Sequence, residues 1–233
     1  MKKLLLILLC LPIIGFGQLT YVPDANFEAY LENNGMGNGI ANDDSVTTAI
    51  INGVTQLFAN GCNISDLTGI EDFLDLEILE CGGNQLTSLD LDNNNQLIHL
   101  ACSHNQLISL DVSNNTALTY LRCYSNQLIS LDVRNGNNHN SLVGSFWAHD
   151  NPNLYCINVD DSTWSVNNWP NGIDTQSYFS NDCSGITDIK EHTTNKELVK
   201  VTGLLGRETP YKKRTTLFYI YDDGTVEKRI VIE

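Results

Sequence analysis

Residues 79–132 repeat themselves at a step of 21. Leu79, Leu100 and Leu121 are equivalent, as are Cys81, Cys102 and Cys123; Asn84, Asn105 and Asn126; Leu86, Leu107 and Leu128; Leu89, Leu110 and Leu131; and Asp90, Asp111 and Asp132. A chain that recurs this strictly folds as a solenoid, in which each repeat is one coil that buries its apolar side only against its neighbours. Such a stack offers an outer skin rather than a converging pocket, which favours recognition or scaffolding over catalysis.

From Leu97 to Leu107 the spacing is L-x-x-L-x-C-x-x-N-x-L, and it recurs over Leu76–Leu86 and Leu118–Leu128. This skeleton resembles the leucine-rich repeat. Degenerate copies flank it, at Val54, Leu57, Ala59, Cys62 and Ile64 upstream and at Val143, Phe146, Ala148, Asn151 and Leu154 downstream. The resemblance implies an α/β solenoid, mostly β, of about five coils, with a short parallel strand from the second to the third apolar position lining a concave face. The leucines point inward and stack. The thiols, with Ala59 and Ala148, fill a slot too tight for a larger side chain. Each asparagine sits at a bend, where its amide can satisfy backbone groups that a turning chain exposes.

Leu-Asp-Leu at 89–91 and Leu-Asp-Val at 110–112 and 131–133 alternate apolar, polar, apolar, and so read as a second short strand on the opposite side of each coil. Their aspartates would then line up on the convex surface. A calcium ladder is one reading of that row; solvation or side-chain capping of turns is the other.

The chain opens Met1-Lys2-Lys3, runs apolar from Leu4 to Ile14 and reaches Gly15-Phe16-Gly17, the pattern of a secretory signal ending at residue 17. Cys10 raises a lipid-attached alternative, but Leu9 before it is not small. No later stretch is long and apolar enough to span a bilayer as a helix. Between Gln18 and Gly185 there are 20 acidic residues against Arg122 and Arg134 alone. Clustered Lys and Arg for phosphate binding are missing, so nucleic acid is not an expected partner.

In an exporting compartment disulfides form. Parallel stacking holds Cys81, Cys102 and Cys123 side by side rather than facing, so they read as reduced packing residues. Cys156 and Cys183 bracket a stretch outside the repeat with Trp164, Trp169, Tyr178 and Phe179, and a bridge between them would staple an end cap over the last coil. At the other end, Pro23-Asp24 followed by Phe27, Tyr30 and Leu31 reads as a capped helix closing near Asn34-Gly35. Residues 21–31 with the coil from Val54 resemble the amino-terminal cap of secreted bacterial leucine-rich repeat proteins. The expected division is a signal peptide over 1–17, an amino-terminal cap over 18–53, repeats over 54–155, a carboxy-terminal cap over 156–185 and a separate module over 186–233.

That last module has no repeat. Thr216–Tyr221 and Thr225–Ile232 read as strands joined through Asp222-Asp223-Gly224, a tight-turn signal. Leu205-Gly206-Arg207, Gly224, and Lys228, Ile230 and Ile232 in the closing strand occur in order. They resemble the carboxy-terminal sorting domain of type IX secretion in Bacteroidetes-type bacteria, although the upstream Asn-Pro element is missing. The resemblance implies passage through the periplasm, recognition by the type IX machinery, and release or display at the outer cell surface. An edge hairpin packed on the solenoid is the plainer alternative.

Exposed concave positions are the candidate ligand contacts: Phe58, Glu80, His99, Tyr120, Arg122, Tyr124, Trp147 and His149. Aromatic residues and arginine anchor interfaces, yet strand surfaces also favour aromatics for packing alone. Five strands give a sheet roughly 24 Å wide and about 10 Å tall, well below the ~800 Å² per partner of a stable protein interface. Loops such as 135–141 would have to join, or the ligand is a glycan or a weak multivalent partner. No histidine pair has helical metal spacing, and neither a Gly-x-Ser-x-Gly elbow nor a phosphate loop occurs. The expectation is an exported binding or adhesion module with no cofactor, no metal and no enzymatic activity; a surface coat without a ligand, or a hydrolase, is the alternative.

Overall fold

The computed structural model describes residues 17–140 and 144–184, together with the backbone of the strands Leu198–Thr202, Thr216–Tyr221 and Val226–Ile230. The expected signal peptide (all but residue 17), Val143, Leu205, Gly206, Arg207, Gly224, Ile232 and the linker lie outside the described residues. The chain divides into two compact units, one ending at Ser184 and the other beginning at Gly185.

Stacked coils make up most of the first unit. Five parallel strands, Gln56–Phe58, Ile78–Glu80, His99–Ala101, Tyr120–Arg122 and Phe146–Trp147, pair in that order. Their central residues Leu57, Leu79, Leu100, Leu121 and Phe146 share one register and are all buried. The tight slot behind them holds Ala59, Cys81, Cys102, Cys123 and Ala148, each at most 1% exposed. The three thiols are free.

An asparagine ladder stitches the coils. Asn105 donates to the carbonyls of Cys81 (3.0 Å) and Cys102 (3.0 Å), and its Oδ1 accepts from the Leu86 N–H (3.0 Å). Asn84, Asn126 and Asn151 do the same in their own coils. Each amide thus joins two coils through groups that would otherwise be buried unpaired. A second ladder, Asn94, Asn115 and Asn135, bonds backbone carbonyls of the preceding coil in the same manner.

On the other side Ser109–Asp111, Ser130–Asp132, Cys156–Asn158 and Tyr178–Ser180 form a second parallel sheet. Leu89–Leu91 does not join it, contrary to the alternating pattern. The coil before it turns through a 3-10 helix, Ile70–Asp72, and the outer sheet begins with Ser109–Asp111 as its edge strand. Asp90, Asp111 and Asp132 each accept from the backbone N–H two residues on, at 3.0, 2.9 and 3.0 Å. Turn capping therefore accounts for that row.

Both ends are closed. Helix Ala25–Asn33 begins at Asp24, whose Oδ1 accepts from the N–H groups of Asn26 and Phe27, while its Oδ2 takes the Ser65 N–H (2.8 Å) and hydroxyl (2.7 Å) of the first coil. One carboxylate caps the helix and fastens it to the solenoid. Phe27 and Leu31, four apart and fully buried, face the coil, with Phe27 stacked on Phe73. A two-stranded ribbon, Leu19–Tyr21 against Ser45–Thr47, and a short helix, Thr48–Ile51, complete this cap.

At the far end a Cys156–Cys183 disulfide closes a cap containing helix Ser162–Asn168, a helix that no sequence pattern announced. Trp169 stacks on Phe146 at 4.4 Å between centroids, and Phe179 meets both rings. Gly172 runs so close to the last strand that a Cβ there would fall 2.5 Å from the Phe146 carbonyl oxygen. Only glycine lets the cap approach this far.

The second unit contains a three-stranded antiparallel sheet in the order Leu198–Thr202, Thr216–Tyr221, Val226–Ile230. Its last two strands match the hairpin pattern; its first was not marked by alternation. Lys228 and Ile230 lie in the closing strand.

Candidate functional site

Side chains flanking the buried centre of each concave strand point outward, because successive residues alternate faces. Register places them in rows. Gln56, Ile78, His99 and Tyr120 form the first; Phe58, Glu80, Ala101, Arg122 and Trp147 form the second. Just past the strands, backbone bonds from Gly61 to Gly82, Gly83 to Ser103, His104 to Tyr124 and Ser125 to His149 continue the stacking. A third row follows, Asn60, Gly82, Ser103, Tyr124 and His149. All eight candidate positions therefore lie on one surface. Ser103 does not reach it: it is only 6% exposed and its backbone is packed beside Gly82.

Rings on adjacent coils stack face to face. His99 lies on Tyr120 with centroids 3.9 Å apart and planes 11° from parallel, and Tyr124 lies on His149 at 4.9 Å and 14°. His104 meets Tyr124, and Trp147 meets His149, edge to face. The Arg122 guanidinium carbon sits 4.9 Å from the Tyr120 centroid. Two coils earlier, Asn60 donates to Glu80 (2.9 Å), and Glu80 Oε1 is 3.6 Å from His99 Nε2. Across the sheet the face runs from a carboxylate through imidazole and phenol to a guanidinium and an indole.

Burial pushes His99 below the usual imidazole value; Glu80 opposes the shift and Arg122 reinforces it. His149 Nδ1 is 3.1 Å from Asp150 Oδ2. Trp147 donates its indole N–H to the Gly144 carbonyl at 2.6 Å, which fixes the ring. The face bends where Gly61, Gly83, His104, Ser125 and Asp150 all adopt positive φ, between 54° and 66°. Three of these five are not glycine, and each presents a polar side chain at the rim.

Among the described residues no three of His, Cys, Asp and Glu are grouped to hold a metal ion, and no helix is long and apolar enough to cross a membrane. Sequence reasoning found the concave row but missed His104, whose place at the rim follows from its left-handed backbone; its 21-residue equivalence to Gly83 and Ser125 was the available signal.

The chain matches no protein-family model and no curated protein. Among solved structures it is similar to the functional domain of InlJ from Listeria monocytogenes, which includes a cysteine ladder (33% identity over 61% of this chain and 28% of that one, TM-score 0.43). It is also similar to two internalins of L. monocytogenes str. 4b F2365. For inlF the identity is 23% over 60% of this chain and 44% of that chain, with a TM-score of 0.44. For internalin C2 (inlC2) it is 19% over 74% and 95%, with a TM-score of 0.41. The chain thus spans less than half the length of the first two.

Proposed function

We propose that this chain is an exported, non-catalytic recognition module that grips an extracellular glycan or protein with the outward rows of its concave sheet. Glu80, His99, Tyr120, Arg122, Tyr124, Trp147 and His149 would make the contacts, with Phe58 at the edge of the sheet. The observation that carries this reading is a pair of contact clusters on one face, Glu80, His99, Tyr120 and Arg122 in one and His104, Tyr124, His149 and Trp147 in the other, each spanning adjacent coils. Packing inside the solenoid does not require these residues, since the buried register is complete without them. Partly exposed aromatics and an arginine, held rigid by one another, lose little entropy on binding.

Residues 186–233, in this reading, form a type IX sorting domain that delivers the body to the exterior through the periplasm, and the type IX machinery is its partner. Motif order supports it, with Leu205-Gly206-Arg207 ahead of the hairpin strands, Lys228 and Ile230 in the last of them, and Ile232 following in the sequence.

The test of the first part is adhesion of the purified chain to glycan arrays, matrix proteins and cells. Trp147→Ala and Tyr120→Ala should abolish adhesion while leaving the thermal melt unchanged; retained adhesion would leave a ligand-free surface coat as the better account. For the second part, residues 186–233 are fused to an exported reporter, and a reporter that stays periplasmic refutes sorting.

A further inference from the structure

We propose that Arg122 is the anchor for a single carboxylate on the ligand, and that the ligand is an acidic oligosaccharide. This rests on the concave-face reading above and names its ligand class.

From Gln18 to Gly185 the chain carries 20 carboxylates and two arginines. Arg134 is spent within the fold: its Nε donates to Asp132 at 3.0 and 3.1 Å, and Nη2 bonds the same carboxylate. Arg122 is exposed and has no ion pair among the described residues. The nearest carboxylate in its own row, Glu80, stands two strands away, roughly 10 Å at ordinary strand spacing. Asn60 and His99 already engage it. In a body this acidic, an exposed guanidinium with no carboxylate partner among the described residues is a specific vacancy for an anion.

Its surroundings suit one. The Tyr120 ring supports the guanidinium from one side. Ala101, its neighbour in the row, is too small to cover it, and Trp147 is its register neighbour on the other side. Held this way, the fork of N–H donors matches a carboxylate in two-point contact.

Ring geometry distinguishes sugar from peptide. Each stack covers one face of each of its two rings, so the ligand meets their remaining surface together with the edges that carry hydroxyl and N–H groups. Hydrogen-bonding edges fit a polyhydroxylated chain better than apolar side chains, and a face about 24 Å by 10 Å is too small for a stable protein interface. At long range the acidic body repels anions, so selection depends on contact rather than steering. A sugar with one isolated carboxylate is admitted; a dense polyanion is rejected.

The experiment uses the full chain on immobilised oligosaccharides that end in a uronic or a sialic acid, each paired with its carboxyl-reduced counterpart. The expected result is a preference for the acidic member of about tenfold or more, as one charge-assisted two-point contact provides. Arg122→Gln should erase that preference while the weaker binding to the reduced sugars persists, and Arg122→Lys should retain part of it. Trp147→Ala should remove both. Equal binding of the paired sugars by the native chain, or an undiminished preference in Arg122→Gln, overturns the carboxylate anchor while leaving the concave face as the binding site. Binding only to proteins overturns the sugar assignment, whereas sugar binding unaffected by Trp147→Ala tells against the concave face itself.

Discussion

Asn126 donates its side-chain amide to the carbonyl of Cys102, in the coil before its own, at 3.1 Å. The same nitrogen reaches Cys123 in its own coil at 3.0 Å, and Oδ1 accepts from Leu107. One side chain thus satisfies three buried backbone groups. Asn126→Ala leaves them unpaired and should cost about 2–4 kcal/mol. Asn126→Asp should fare no better, because an ionised carboxylate cannot donate. Urea denaturation measures both, and a loss below about 1 kcal/mol would show that water replaces the ladder.

Asp24 ties the amino-terminal helix to Ser65. Burial alone would raise its carboxyl, but hydrogen bonds from Ser65, Phe27 and Asn26 outweigh that and hold it below the ordinary value. The stability it contributes is therefore present above about pH 3.9 and lost as pH falls through the lower folded value. Asp24→Ala should cost about 2 kcal/mol, most of it the lost cap, and flatten that acid limb in a pH series of melts.

The core thiols should be inert. Burial pushes Cys123 up to about 12 and raises Cys81 and Cys102 well above the usual range. A thiol reagent at pH 8 should modify only half-buried Cys62 in the native chain, and all four free thiols after unfolding. Stability tied to these protonated thiols is intact below about pH 8.5 and falls as pH rises toward the folded values. Rapid native labelling of Cys102 would contradict the packing.

Cys102→Ala should be mild, since Ala59 and Ala148 occupy the same slot in the outer coils. Cys102→Leu should cost about 1–3 kcal/mol by overpacking. A reversed order in thermal melts would mean the slot is roomier than its neighbours make it.

Reduction of Cys156–Cys183, which closes a separation of 27 residues, should cost about 3.5 kcal/mol. The melting point should drop by on the order of 10 °C. Fluorescence from Trp164 and Trp169 should report the loosened cap before the coils melt. Simultaneous loss of both signals would show the cap and coils to be one cooperative unit.

His99 should titrate below about 6.5 in proton NMR. Arg122→Gln should raise that value and Glu80→Gln should lower it further. Neutral His99 favours the fold above the ordinary imidazole value, and this contribution is lost as pH falls through the folded one. Unmoved titration in Arg122→Gln would place the guanidinium away from the imidazole.

Periodic residues were legible in the sequence because a solenoid repeats one local environment. The inward leucines, the thiol slot, the first asparagine ladder and the concave row followed from the 21-residue step. The second ladder, Asn94, Asn115 and Asn135, nearly keeps that step but was hidden among neighbouring asparagines at 93, 95 and 114. Leu89-Asp90-Leu91 carried the right alternation and still formed no strand, although Ser109–Asp111 beside it is an edge strand.

By itself, then, the sequence determined the coil, its step and the inward leucines, thiols and first asparagine ladder, since these depend only on a residue and its equivalents one repeat away. Tertiary structure alone decided that His99 stacks on Tyr120, that Asp24 reaches Ser65 and that Arg122 is left without a carboxylate among the described residues. Those outcomes depend on side-chain direction across stacked coils and on caps that have no period, and no spacing along a single chain encodes either.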